Sequence, residues 1–240
     1  MSDKIKLDIQ RFANISNSEN DTVITGTAEA DSIYNDGANV TIQALDGNDT
    51  VMNNGSNVTI DAGAGNDTIF DASNDVSINA GVGDNYVEVS GGTVVAEGGN
   101  DTITGMNVSN INAGDGNNYV SVEGSNDLII TAGSGKDTIS NYGYSSNVTV
   151  NSGAGNNSVY NEGENVWIKS DSGDDSISNY GSNVTIDAGE DDDYITNEGY
   201  ATINTSECNN TVLSSSMAFV NTGSGNNIVN FSNDVVKMVR

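Results

Sequence analysis

An acid or an amide recurs along this 240-residue chain at Asp31, Asp49, Asp67, Asn85, Asp101, Asn118, Asp137, Asn157, Asp175, Asp193, Asn210 and Asn227. Most of these markers follow a glycine-rich stretch and precede a β-branched residue two places on, as in DGNDTV, AGNDTI and SGDDSI. Their side-chain oxygens are the recurring chemistry of the sequence. The chain has no His and a single cysteine, Cys208, which excludes an internal disulfide framework. Between residues 14 and 236 only Lys136 and Lys169 stand against 32 acids, a net of −30. Such a body attracts divalent cations and repels a nucleic-acid backbone or an anionic lipid surface. Catalysis is not expected. The two lysines fall in different repeats, and the run Glu190, Asp191, Asp192, Asp193 reads as a solvated or cation-binding loop rather than an acid–base centre.

The elements that position these markers follow from their spacing. The intervals are 18, 18, 18, 16, 17, 19, 20, 18, 18, 17 and 17 residues, a drift about a fixed mean that stacked turns with small loop insertions produce. An apolar residue follows each marker at +2 (Val51, Ile69, Ile103, Ile139, Val159, Ile177, Ile195), and a second pair follows at +9 and +11 (Val40 and Ile42, Val58 and Ile60, Val184 and Ile186). A spacing of two is strand spacing, so these residues face inward while Thr41, Thr59, Ser77 and Thr185 face out. Only 35% of residues are apolar and 6% aromatic, enough for a thin seam of Val and Ile but not a thick core. Pairs such as Gly63 and Gly65, Gly133 and Gly135, or Gly223 and Gly225 fall where the chain must reverse with positive φ. Proline is absent, as expected where nearly every N–H is donated to the next turn. The fold expected is all-β, a parallel β-roll or β-helix solenoid of about twelve 18-residue turns. Residues 1–22 are expected to form an N-terminal arm with an amphipathic strand, and 23–240 the solenoid.

The first half of each unit resembles the glycine-rich nonapeptide G-G-x-G-x-D-x-U-x of the repeats-in-toxin family. It appears as AGAGNDTIF at 62–70, ALDGNDTVM at 44–52, EGGNDTI at 97–103 and GSGKDTIS at 133–140, and GTAEADSIY at 26–34 is similar to a first unit. The resemblance implies a β-roll binding Ca2+ between same-edge loops of successive turns, here through Asp31, Asp49, Asp67, Asp101, Asp137, Asp175 and Asp193. The second half-unit carries Val40, Val58, Val76, Val166 or Val184 where that family has Asp, so metal is expected along one edge alone. Five of the twelve markers are Asn, whose neutral oxygen does not balance the charge of calcium, so mixed sites are expected to be weaker. A metal-free alternative stays open: the markers form carboxylate and amide ladders beside a second column at Asn48, Asn66, Asn100, Asn117, Asn156, Asn209 and Asn226.

The function expected is a non-catalytic, calcium-binding structural scaffold, extracellular or on a bacterial cell surface. The opening residues lack the apolar run of a cleavable signal peptide, and no stretch is apolar enough to span a membrane as a helix. Ile5, Leu7 and Ile9 alternate with charged and polar residues, and a strand of that pattern adds to an open solenoid end, so head-to-tail filaments are a further expectation. A surface adhesin or carbohydrate-binding module, with Tyr86, Tyr119 and Tyr194 facing outward at +1, and a phage fibre component are the alternatives. An ice-binding role is disfavoured because Trp167 interrupts the outward Thr column.

Overall fold

A computed structural model describes residues 12–232 and 238–239. The chain winds into two parallel sheets of thirteen strands each, in which strand order along the stack equals chain order. The first sheet begins at Asn14–Asn17, within the segment assigned to the arm, and the second at Val23–Thr25. Ile5, Leu7 and Ile9 lie outside the described residues. Register is continuous through the apolar columns. In the first sheet Ile33 pairs Val51, Val51 pairs Ile69 and Ile69 pairs Val87; in the second Ile42 pairs Ile60 and Ile60 pairs Ile78. These side chains meet between the sheets and are at most 1% exposed. Period-two alternation explains the seam: a one-residue slip would turn every one of these side chains to water.

The edges need more than alternation, because the chain must turn there while staying stacked. On the marker edge, Gly63 and Gly65 have φ of 97° and 142°, and a Cβ on them would lie 1.7 Å from the carbonyl oxygens of Leu45 and Gly47 in the preceding turn. Gly223 departs from the expected pattern, since its φ is not positive; close approach to Ser206 is what excludes a side chain. On the opposite edge Asn39, Asn57, Asn147, Asn165 and Asn183 take left-handed φ of 55–58°, a region Asn tolerates better than most residues. Their amides also stack, with Asn57 Nδ2 donating to Asn39 Oδ1 at 2.8 Å and Asn183 Nδ2 to Asn165 Oδ1 at 2.7 Å. The residues that follow, including Val40, Val58, Val166 and Val184, are buried, as is Val76 after Asp75.

A further set of ladders sits four residues after the marker, in the motif N-x-G. Asn141, Asn161, Asn179 and Asn197 are at most 1% exposed. Each of the first three donates through Nδ2 to the Oδ1 of the next at 2.7–2.8 Å. Asn35 and Asn53 repeat the arrangement and end on Asp71. Val89, Gly105 and Val122 occupy the column in the middle of the rod, where the intervals shorten to 16 and 17 residues and the second sheet shows register shifts.

Candidate cation-binding column

The markers share the inward parity of the +2 residues, so their side chains turn into the edge of the seam. Asp49 and Asp67 are 1% exposed, Asp137 0% and Asp193 2%. One oxygen of each marker is committed to the backbone. Asp31 N–H donates to Asp49 Oδ1 at 2.6 Å, Asp49 N–H to Asp67 Oδ1 at 2.7 Å and Asp67 N–H to Asn85 Oδ1 at 2.9 Å. The series continues through Asp101, Asn118, Asp137, Asn157, Asp175, Asp193 and Asn210 to Asn227. These bonds span the same intervals as the sequence repeat. The side chain thus accepts the marker N–H, a buried donor that needs a partner.

The second side-chain atom separates Asp from Asn. Asn85 Nδ2 donates to the carbonyls of Gly81 and Gly83 at 3.4 and 3.0 Å, and Asn118 Nδ2 to those of Gly114 and Gly116 at 3.2 and 3.4 Å. Asn157, Asn210 and Asn227 donate likewise to the carbonyls of Gly153, Ser206 and Gly223. Each Asn therefore closes its own loop. In the Asp turns the equivalent atom is an oxygen, and Oδ2 of Asp49, Asp67, Asp101, Asp137, Asp175 and Asp193 is buried with no hydrogen-bond partner. A carboxylate oxygen turned towards the place where Asn meets two carbonyls cannot hydrogen-bond them; it needs a cation or a proton between. Burial accordingly pushes Asp49, Asp67, Asp137 and Asp175 up to about 6 and Asp193 to about 7, with Asp101 also raised.

Asp31 differs from the other six candidates. Its Oδ1 accepts from Thr27 Oγ1 at 2.9 Å and from the Ala13 N–H, and its Oδ2 from the Thr27 N–H at 2.5 Å, so the protein already satisfies both oxygens. The neighbouring Asn column forms as expected, accepting N–H groups from the following turn, as from Asn66 to Asn48 Oδ1 and from Asn117 to Asn100 Oδ1. Among the described residues no three His, Cys, Asp or Glu side chains gather round one point. A cation on this edge would be held by carboxylates of the column together with loop carbonyls. That all-oxygen donor set fits calcium, a hard ion taking six to eight oxygens. The sequence did not disclose the division of labour between Oδ1 and Oδ2; the mixture of Asp and Asn at one position was its signal.

Tyr86, Tyr119 and Tyr194 lie 38%, 42% and 45% exposed on the outer face of the first sheet, and Trp167 is 47% exposed on the second. No helix among the described residues is long and apolar enough to cross a membrane.

Fold and edge together define a parallel β-solenoid with a column of buried carboxylates. No family model matches the chain, so the membership that the nonapeptide resemblance implies is not shown, and no curated protein sequence matches it. The fold does match a solved structure, that of a hyperactive, Ca2+-dependent, β-helical antifreeze protein from an Antarctic bacterium. The TM-score is 0.58 at 19% identity over 93% of this chain and 83% of that one.

Proposed function

We propose that this chain is a non-catalytic, calcium-stabilised structural scaffold acting outside the cell or on its surface. The carrying observation is the set of six buried carboxylate oxygens without partners. Where these groups are ionised, six uncompensated charges along one edge destabilise the rod, and a calcium-dependent protein of the same fold supports calcium as the compensating ion. The residues proposed to hold it are Asp49, Asp67, Asp101, Asp137, Asp175 and Asp193, with Asp31 outside the set because Thr27 serves it. Titration calorimetry tests this: calcium is expected to bind with Kd in the ~10⁻⁴ to 10⁻³ M range of extracellular modules, and magnesium more weakly. Absence of calcium heat at neutral pH would overturn it.

A second property follows from the ends of the stack. Among the described residues the stack ends on Asn14–Asn17 and Val23–Thr25 at one end and on Ile228–Phe231 and Met238–Val239 at the other, and a strand that ends a stack offers an open edge wherever no other segment covers it. Open edges of this kind template further strands, which supports head-to-tail assembly with Ile5, Leu7 and Ile9 as the added strand. Filaments are expected by electron microscopy with calcium and are expected to vanish on deletion of residues 1–13. Monomers in both forms would exclude this assembly.

A further inference from the structure

The outer face of the first sheet carries a cluster that the calcium reading does not use. Asn141 pairs Asn161 and Asn161 pairs Asn179, so the residues one step beyond, Tyr142, Glu162 and Tyr180, sit side by side on successive turns about 4.8 Å apart. Tyr160 lies two residues before Glu162 on the same outward face. Its ring stands 5.2 Å from that of Tyr142 and 5.3 Å from that of Tyr180, centroid to centroid. Three tyrosine rings thus form a row across three turns, with the middle one bonded to a carboxylate. Glu162 is fixed there by two donors: the Tyr160 hydroxyl reaches its Oε1 at 2.5 Å and the Gly143 N–H its Oε2 at 3.0 Å. Both bonds hold its carboxyl below the ordinary value, and it stays ionised.

This is also where the repeat is longest. The 20-residue interval from Asp137 to Asn157 adds a loop whose Tyr144 is 98% exposed. The loop borders an open cavity of ≈ 550 Å³ lined by Gly143, Tyr144, Ser145, Ser146, Glu162 and Glu164. No basic residue lines it. Among the described residues the ion pair found is that of Lys169 with Asp171, on the other sheet.

Aromatic faces beside a fixed carboxylate recognise an ammonium or guanidinium group, which is attracted by the negative face of the ring quadrupole as well as by the charge. We propose that the Tyr142–Tyr160–Tyr180 cluster with Glu162 and Glu164 binds basic side chains of a polypeptide, and that its occupant is the N-terminal segment of a second copy of this chain. That segment holds Lys4, Lys6 and Arg11, three of the seven basic residues of a chain with net charge −27. Reach favours the second copy. Measured from Asn14, Lys4, Lys6 and Arg11 extend at most about 34, 27 and 10 Å along the backbone, so a chain's own arm brings at most its first lysines to the cluster. The cluster begins seven turns up the stack from Asn14, about 34 Å away. The inference is independent of calcium, and the contact it creates is lateral rather than end to end, so an arm engaged here is not the one added to a stack end.

The test uses the full-length chain in calcium with its own arm neutralised, Lys4→Gln, Lys6→Gln and Arg11→Gln, so that arms do not compete. A synthetic peptide of residues 1–13 is titrated into it by calorimetry at low salt. Binding is expected, with at least a tenfold loss on adding Glu162→Gln or Tyr142→Ser with Tyr180→Ser, and no binding by a peptide with the same three Gln replacements. The substituted side chains are exposed, and an unchanged melting temperature reports an intact rod. Equal binding by parent, Glu162→Gln and a remote Glu207→Gln control would mean diffuse attraction to an acidic body and overturn the site. Binding of tetra-arginine but not of the 1–13 peptide would overturn the occupant.

Discussion

Stripped of calcium, the protein is expected to be least stable near pH 8 and to gain stability as the pH falls towards 5. Burial raises the carboxyls of Asp49, Asp67, Asp137 and Asp175 from 3.8 to about 6, and that of Asp193 to about 7, in the metal-free fold. Between the ordinary value and these raised ones the folded chain holds protons that the unfolded chain has released. The stabilisation is therefore fully present below the ordinary value and is lost as pH rises through 6 to 7. Each such carboxyl costs the folded state up to roughly 3 kcal/mol at pH 8, less where solvent screens it, so several together are comparable with the ~5–15 kcal/mol net stability usual for a domain. Thermal melts followed by circular dichroism in chelator are expected to give a far lower melting temperature at pH 8 than at pH 5. Millimolar calcium raises it again at pH 8, because the ion takes the place of the proton and its binding appears as folding free energy. A chelated protein whose melting temperature is flat from pH 5 to pH 8 would contradict the burial of these charges.

Replacing Ile60 by Asp is expected to unfold the middle of the rod even with calcium present. Ile60 is 0% exposed and stacks between Ile42 and Ile78 in the second sheet. A carboxylate there has neither a neighbouring N–H nor loop carbonyls to share an ion with, in contrast to the marker column. Loss of the isoleucine contacts and burial of an unpaired charge together cost on the order of 5 kcal/mol or more. Thr59→Asp, one residue away on the exposed face, is expected to change stability by no more than about 0.5 kcal/mol. Equal melting temperatures for the two variants would show that the inward and outward faces are exchanged.

The inward and outward faces were legible because period-two alternation and the 18-residue interval each constrain the same residues. Val51, Ile69 and Ile60 were placed inside on spacing alone, and they are buried. The marker column was legible as a position but not as a device. Its Oδ1 serves the backbone of the preceding turn, a contact some 18 residues away that no local pattern encodes. The N-x-G ladder of Asn141, Asn161, Asn179 and Asn197 went unread because buried amides in a thin apolar seam run against composition. They are stable there because each Nδ2 finds partners: Asn161 and Asn179 reach both a carbonyl two residues on and the next Asn, Asn141 reaches Asn161, and Asn197 reaches the Gly199 carbonyl and Ser214 Oγ. The tyrosine cluster was missed for a related reason. Tyr142 and Tyr180 stand five residues after their markers and Tyr160 three after its own, so the rings meet diagonally across successive turns and no single repeat position flags them.

The most direct test of the carboxylate column is Asp137→Asn, read as the difference in melting temperature between calcium and chelator at pH 8. The amide would donate to the carbonyls of Gly133 and Gly135 as Asn118 does to those of Gly114 and Gly116. In chelator the variant is expected to be more stable than the parent by about 1–3 kcal/mol, a rise of roughly 2–4 °C per kcal/mol for a chain of this size. Its response to calcium is expected to shrink at the same time. A variant less stable than the parent in chelator, with an undiminished response to calcium, would contradict the assignment of Asp137 Oδ2 as an oxygen awaiting a cation.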